Sequence, residues 1–302
     1  PLSAGSVARL KSKWQAEYET WTSRPLDELE VVYLWADGIY VKAGLEKEKA
    51  AVLVVIAALR DGRKVVLAVK SGHRESTDGW SEILRDLKAR GLATPRLVVG
   101  DGHLGLWGAL TNVYPKAREQ RCWNHRIVNV LDKIQKKFQA QAKAHLTIIP
   151  YAGTRAEAER LKEKFQIWCD QKGCGAAGQL LDHDWNRMVT FYDFPREHWK
   201  HLRTSNVVES PFATVRLRTT AAKRYKKVEN ATAVLWKTLL IAEKSFRKLD
   251  APELLSEVAE GAVYENGARK KPDVNDIPAG TEKQNNGTVR AEGHEKACVG
   301  CP

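Results

Sequence analysis

Three β-forming runs follow one another early in the chain: ELEVVYLWADGIYVKAG (28–44), AAVLVVIAAL (50–59) and RKVVLAVKSG (63–72). Their β-branched and aromatic content marks them as strands, and Asp61-Gly62 between the last two is a hairpin signal, so they predict an antiparallel meander. The pattern then changes. Trp80, Ile83, Leu84 and Leu87 recur at helical spacing, with Thr77 or Asp78 as cap and Gly91 as stop. PRLVVG (95–100) reads as a strand, 104–114 as a helix, and AREQRCWNH (117–125) as a short strand running into the basic helix RIVNVLDKIQKKF. Three strands followed by alternating helix and strand predict an α/β fold, a mixed sheet with helices on its faces, in the order of a ribonuclease H-like core.

The flanking segments are helical. Val7, Leu10, Trp14 and Tyr18 form one stripe near the start of the chain. Residues 138–200 break the alternation and read as an α-helical insertion: Thr154 and Glu157 form a capping box, and Leu181, Trp185, Met188 and Tyr192 mark a second stripe. Basic helical sequence returns at HLRTSNVVESPFATVRLRTT, and a last helix starts at Asn230. Trp80, Trp107 and Trp185 fit core stripes. The partition is therefore 1–27, 28–137 as the first part of the core, 138–200 as the insertion, 201–250 as the last part of the core, and 251–302 as a mostly disordered tail, its residues 266–302 holding hardly a large apolar side chain.

With 302 residues and 43% apolar content the chain can bury a sizeable core. Its apolar run AVLVVIAAL is too short for a helix across a bilayer, and PLSAGSVARL lacks a signal-peptide layout, so an intracellular protein is expected. Because the chain opens on Pro rather than Met, a fragment whose upstream part is missing is expected. Lys and Arg number 49 against 37 Asp and Glu, a net charge of +12. Residues 251–302 hold 6 basic and 9 acidic side chains, which leaves 43 against 28 in residues 1–250. A basic body of this kind suits a polyanion, most simply nucleic acid. Five scattered cysteines argue against a disulfide scaffold, and Cys122, Cys169 and Cys174 read as reduced thiols. Cys298 and Cys301 form a C-x-x-C without a second ligand pair at zinc spacing.

Two aspartates stand out. Asp37 lies inside an almost continuous apolar run, where a charge is costly unless paired or bound to metal, although Asp-Gly between β runs is equally a turn. Asp101, in VVGDGH, is either a helix cap or a residue delivered by the strand to the sheet edge, its glycines admitting metal and phosphate. If the first and fourth strands are neighbours, both carboxylates point into one place and call for a divalent cation. Glu209, on the returning helix, supplies a third, with Arg216 seven residues on along the same face.

YLWADGIYVKAG, VVGDGHLGLWGAL, REQRCWNHRIVNVLDKI and TSNVVESPFATVRLRT, in this order, resemble the signature blocks of the Mutator-type bacterial insertion-sequence transposases, a branch of the DDE group. The resemblance covers roughly residues 1–245. It implies a ribonuclease H-like fold interrupted by a helical domain, with Asp37, Asp101 and Glu209 as catalytic, metal-binding triad. It further implies two Mg²⁺ ions, or Mn²⁺ in their place, for DNA cleavage at element ends and strand transfer, with no covalent protein intermediate. Residues 1–27 resemble the end of the family's N-terminal DNA-binding region. The implied partners are double-stranded DNA, as terminal inverted repeats and target, and a second copy of the chain. The implied location is the bacterial cytoplasm, at the nucleoid.

Cys122 and His125 match the family's C-x-x-H element; the spacing suits zinc, but two ligands do not complete a site, so they are expected to pack beside the carboxylates as active-site support. His103, also placed in active-site support, is read either as assisting the reaction or as a helix-start residue held by a hydrogen bond. Two basic segments, 116–144 and 196–227, are expected to meet phosphates, through Arg121, Arg126, Arg203, Arg216, Arg218, Lys223 and Arg224. Where relatives tend to carry a proline, this chain has Val207, and it has Pro211 two residues after Glu209. That proline sits either in a first helical turn capped by Ser210 or as a kink in a helix begun at Ser205. Two rival readings remain on the sequence: a ribonuclease H-like nuclease that does not join, and a DNA-binding remnant without chemistry.

Overall fold

In the computed structural model, which describes residues 3–43, 50–72, 76–221 and 224–270, the three early runs form strands β1 (Val31–Val41), β2 (Ala50–Leu59) and β3 (Lys64–Gly72). They follow helix α1 (Ala4–Ser23) and make the expected antiparallel meander, turning at Gly62 with φ +83°. Helix α2 (Thr77–Ala89) leads to β4 (Leu97–Gly100), and α3 (Leu104–Val113) to β5 (Arg118–Arg121). These two strands join β1 in parallel, giving a five-stranded mixed sheet in the order β3-β2-β1-β4-β5.

Side-chain alternation sorts the sheet into two faces. Leu34 and Ala36 of β1, Leu53 and Val55 of β2 and Val98 of β4 pack with Trp80, Ile83, Leu84 and Leu87 of α2 and Leu106, Trp107 and Leu110 of α3. Trp35, Ile39, Val52, Val54, Leu97 and Val99 belong to the opposite core. Asp37 and Asp101 share the parity of this second set. Because strand side chains repeat with period two, a slip of one residue in either strand would turn its aspartate to the other face.

The second face is covered by the C-terminal half of the chain. Helices α4 (Trp123–Leu131), α5 (Lys136–Ile148), α6 (Arg155–Gln171), α7 (Gly175–Gln179), α8 (Trp185–Met188) and α9 (Trp199–Leu202) precede the long α10 (Asn206–Ala221) and α11 (Val228–Glu243). The segment 136–202 shares its hydrophobic core with the sheet: Phe165, Leu181, Trp185 and Met188 join Trp35 and Val99 in one cluster. Buried Gln120 of β5 fastens it by donating to Met188 O (3.1 Å) and accepting from Phe191 N–H (2.8 Å), and Trp123 Nε1 donates to the same Met188 carbonyl (2.7 Å). No helix among the described residues is long and apolar enough to cross a membrane.

Several expectations are corrected. Ser76, not Thr77 or Asp78, caps α2, its hydroxyl accepting from Gly79 N–H (3.1 Å). The last long helix starts at Val228 rather than Asn230. Leu181, Trp185, Met188 and Tyr192 are all buried, but on the short α8 and adjacent turns; a shared inward direction needs no continuous ladder of backbone bonds. The first 20 residues of the supposed tail, 251–270, are folded as α12 (Glu253–Glu260) and the hairpin of β6 (Tyr264–Glu265) and β7 (Ala268–Arg269). Leu255, Val258 and Tyr264 are buried there, and Asn266 Oδ1 accepts from Arg155 N–H at the start of α6 (2.8 Å). The low apolar content belongs to 266–302; residues 253–260 carry Leu254, Leu255 and Val258, enough for a short amphipathic helix. The remainder of that expectation, including Cys298 and Cys301, lies outside the described residues.

Candidate active site

Ala36 of β1 pairs in register with Gly100 of β4, and Gly100 with Arg121 of β5. The next residues, Asp37, Asp101 and Cys122, therefore stand side by side at the same level of three neighbouring strands, spaced by about 4.8 Å per strand. Asp37 is an interior residue of β1, opposite Val54, and the hairpin alternative does not apply. Cys122 N–H extends the ladder by donating to Gly100 O (2.7 Å).

Backbone amides aim both aspartates. Gly38 N–H donates to Asp37 Oδ1 (2.8 Å), and His103 N–H donates to Asp101 Oδ1 (2.8 Å). His103 itself caps α3, its Nδ1 accepting from Gly105 N–H (3.3 Å), so it acts on Asp101 through its backbone. The two glycines make room for protein rather than for a ligand. A Cβ on Gly100 would stand 2.4 Å from Leu106 Cδ2, and Gly102, at φ +97°, would place one 2.2 Å from Arg121 Nε. Close approach is therefore what both positions require, but the approaching groups are a core leucine and a buried guanidinium.

Glu209 comes from α10, whose Val208, Phe212 and Val215 bury against the sheet. The lead-in to that helix is pinned twice: Trp35 Nε1 donates to His201 O (2.9 Å) and Trp123 N–H to Arg203 O (2.9 Å). Ser205 O accepts from Val208 N–H and Glu209 N–H, so the helix begins at Ser205 and Asn206 and runs through Pro211 in its interior. Fully buried Ser205 donates its hydroxyl to Glu209 Oε1 and its N–H to Cys122 Sγ (3.3 Å). His125 Nδ1 lies 3.4 Å from Ser205 Oγ and 3.8 Å from Glu209 Oε1. Cys122 and His125 thus stand beside Glu209. Ser205 was missed; its only trace in the sequence is the four-residue spacing to Glu209.

The charges interact. Burial, with Asp101 and Glu209 nearby, pushes the Asp37 carboxyl up to about 7 against the opposing Gly38 amide and His125. His125 moves the same way, to about 9: its hydrogen bond with Cys122, and the negative charge of Glu209 and Asp37, outweigh its burial. A pocket that raises both an acid and a base is an electronegative one, short of positive charge.

The arginines expected to meet DNA divide. Arg121 and Arg126 are buried, and both pair with Asp184 at the head of α8, which Arg187 also contacts at 3.1 Å. They are structural, not phosphate-facing: burial alone would push the Asp184 carboxyl up, yet Arg121, Arg126 and Arg187 hold it below the usual carboxylate range. Their sequence segment presents its exposed charge through Lys133, Lys136, Lys137 and Lys143 instead. Arg203 is half-buried, stacked against Tyr151 (4.6 Å), Phe191 (5.4 Å) and Trp199 (5.7 Å). Arg216 and Arg224 are exposed; Arg218 lies on α10 with its side chain outside the described part, and Lys223 is outside the described residues. Asp184→Asn is expected to destabilise the fold by about 3–5 kcal/mol, because two desolvated guanidinium groups lose their counter-charge. A denaturant melt showing less than about 1 kcal/mol would overturn the structural role.

A mixed sheet carrying carboxylates on β1, after β4 and on a covering helix defines an α/β protein with a polar site at one strand end. The family described as Transposase, Mutator family matches residues 1–246, and the chain belongs to it. It is 39% identical to the transposase for insertion sequence element IS6120 of Mycolicibacterium smegmatis, over 88% of this chain and 82% of that protein. It is 38% identical to the transposase for insertion sequence element IST2 of Acidithiobacillus ferrooxidans, over 88% of this chain and 90% of that protein.

Proposed function

We propose that this chain is a DDE transposase that cleaves DNA at the ends of an insertion sequence and joins the freed strand to target DNA, with Asp37, Asp101 and Glu209 as its catalytic carboxylates. The observation that carries this reading is the juxtaposition of the three. The Ala36–Gly100 register puts Asp37 beside Asp101, and burial first, then the charges of Asp101 and Glu209, hold Asp37 up near 7. The strand order, with three antiparallel strands followed by two parallel ones and helices on both faces, supports a ribonuclease H-like core, with residues 138–200 as its helical insertion.

The donor set fits a hard divalent cation. Three carboxylates offer oxygen ligands only, which suits Mg²⁺ or Mn²⁺, and a buried acid that resists ionisation marks a place that a cation would neutralise. When bound by Asp37, Asp101 and Glu209, two such ions would supply a nucleophilic oxygen on one side of a phosphodiester and stabilise the departing oxygen on the other. The chain's own residues provide positioning. Gly38 and His103 amides each hold one oxygen of an aspartate and leave the other for ligation. The Ser205 hydroxyl fixes one oxygen of Glu209 on a helix anchored at Trp35 and Trp123. Phosphates would be met by the exposed Arg216, Arg224 and the α5 lysines, with two copies of the chain holding two DNAs, in the cytoplasm at the nucleoid.

The test is Mg²⁺- or Mn²⁺-dependent nicking and joining on duplex DNA carrying candidate element ends. Joined product supports the transposase. Nicking without joining in assembled complexes points to the nuclease, and salt-sensitive binding without cleavage points to the remnant.

A further inference from the structure

A second donor set overlaps the carboxylates. Cys122 Sγ, a ring nitrogen of His125 and a carboxylate oxygen of Glu209 all lie within 4.8 Å of one another. Ligand atoms on one Zn²⁺ ion, bound at about 2.0–2.3 Å, stand under about 4.5 Å apart, so small side-chain rotations close this group onto an ion. The chemistry differs from that of the aspartates: thiolate and imidazole select Zn²⁺ over Mg²⁺, and three protein ligands with a fourth position open to solvent are a zinc arrangement.

The surroundings point the same way. Ser205 N–H donates to Cys122 Sγ (3.3 Å), a bond that stabilises a coordinated thiolate, and the Ser205 hydroxyl orients Glu209 while lying 3.4 Å from His125 Nδ1. The thiol is fully buried, whereas the side chains of His125 and Glu209 are 38% and 30% exposed, so an ion entering from solvent meets two ligands before the third.

We propose that Cys122, His125 and Glu209 form a site for a borderline-soft divalent cation of the Zn²⁺ class, and that its occupancy inhibits the reaction by withdrawing Glu209 from Asp37 and Asp101. The binding half stands alone; the inhibition half rests on the reading of Glu209 as a catalytic carboxylate. On binding, a sulfur–metal bond forms and the thiol proton passes to solvent, with no change of oxidation state.

Cobalt(II) is the probe, because thiolate ligation gives it a near-ultraviolet charge-transfer band. The full chain is used with Cys298→Ser and Cys301→Ser, since that pair would bind cobalt itself. A band saturating at one equivalent, displaced by Zn²⁺ and lost on adding Cys122→Ser, is the expected result; Cys169 and Cys174 are common to both proteins and cancel. His125→Asn, which keeps the buried thiol, is expected to weaken cobalt binding by about tenfold or more, the loss of one ligand contact. No band, or one unchanged by both substitutions, overturns the site. In the nicking reaction, Zn²⁺ is expected to inhibit in parallel with cobalt binding, with His125→Asn requiring about tenfold more Zn²⁺ relative to its own Mg²⁺ rate. Binding at Cys122 with nicking undiminished by Zn²⁺ overturns the inhibition half. Binding at Cys122 with no nicking in any metal supports the site and overturns the reading of Glu209.

Discussion

Asp101→Asn and Glu209→Gln are each expected to lower Mg²⁺-dependent nicking by on the order of a thousandfold, equivalent to about 4 kcal/mol of transition-state stabilisation, while leaving the fold intact. The amides are isosteric and keep the contacts the carboxylates make: Asn can still accept from His103 N–H, and Gln can still accept from the Ser205 hydroxyl. What they lose is negative charge and affinity for a hard cation. The measurement is single-turnover cleavage on end-containing duplex, with joined product followed on the same gel and DNA affinity measured separately. Cleavage within about tenfold of the parent in either variant would falsify its place in the triad. Affinity for DNA is expected to hold, because it resides in surface cations.

The second large effect is on stability and depends on pH. In the metal-free protein Asp37 titrates near 7 rather than at the ordinary 3.8, first through burial and then through Asp101 and Glu209. A carboxyl raised by folding holds more protons in the native state than in the unfolded chain between those two values. Its contribution is therefore fully present below about pH 4 and is lost as pH rises through 7. His125, raised to about 9, adds a loss of the same sign from 6.5 upward. At about 1.4 kcal/mol per pH unit, Asp37 makes the metal-free protein less stable at pH 8 by on the order of 2–4 kcal/mol. Asp37→Asn removes that penalty. In chelator it is expected to melt about 5–10 °C above the parent at pH 8 and to converge with it near pH 4. Added Mg²⁺ should raise the parent's Tm at pH 8 and leave the variant's almost unmoved. A variant that melts below the parent at pH 8 in chelator would mean that Asp37 is held by favourable contacts and is not a strained anion.

Much of this site was visible before any coordinates. Asp37 in an apolar run and Asp101 at the end of LVVG are anomalies against patterns that otherwise call for burial, and such local conflicts mark functional positions. Glu209 was legible only through the expectation of a third carboxylate from a returning helix and through the family blocks around it, because nothing in NVVESPF by itself separates such a residue from a helix-surface glutamate. The arginines misled for a related reason. Arg121 and Arg126 sit in a basic segment, and their partner Asp184 lies more than 50 residues away on a helix whose position no local pattern fixes. Charge counting sees the cations and misses the buried anion.

Sequence alone determined most of the elements: β-branched and aromatic runs set the strands, helical spacing set α2, and an Asp-Gly turn joined β2 to β3, all of which are short-range properties of the chain. It also determined the family. Tertiary structure decided what the conspicuous residues touch. Only the parallel pairing of β1 with β4 brings Asp37 level with Asp101, and only the anchoring of α10 through His201 and Arg203 brings Ser205 and Glu209 to Cys122 and His125. Strand register and helix docking minimise free energy over the whole core at once. The contacts they create between distant segments therefore leave almost no trace in any one of those segments.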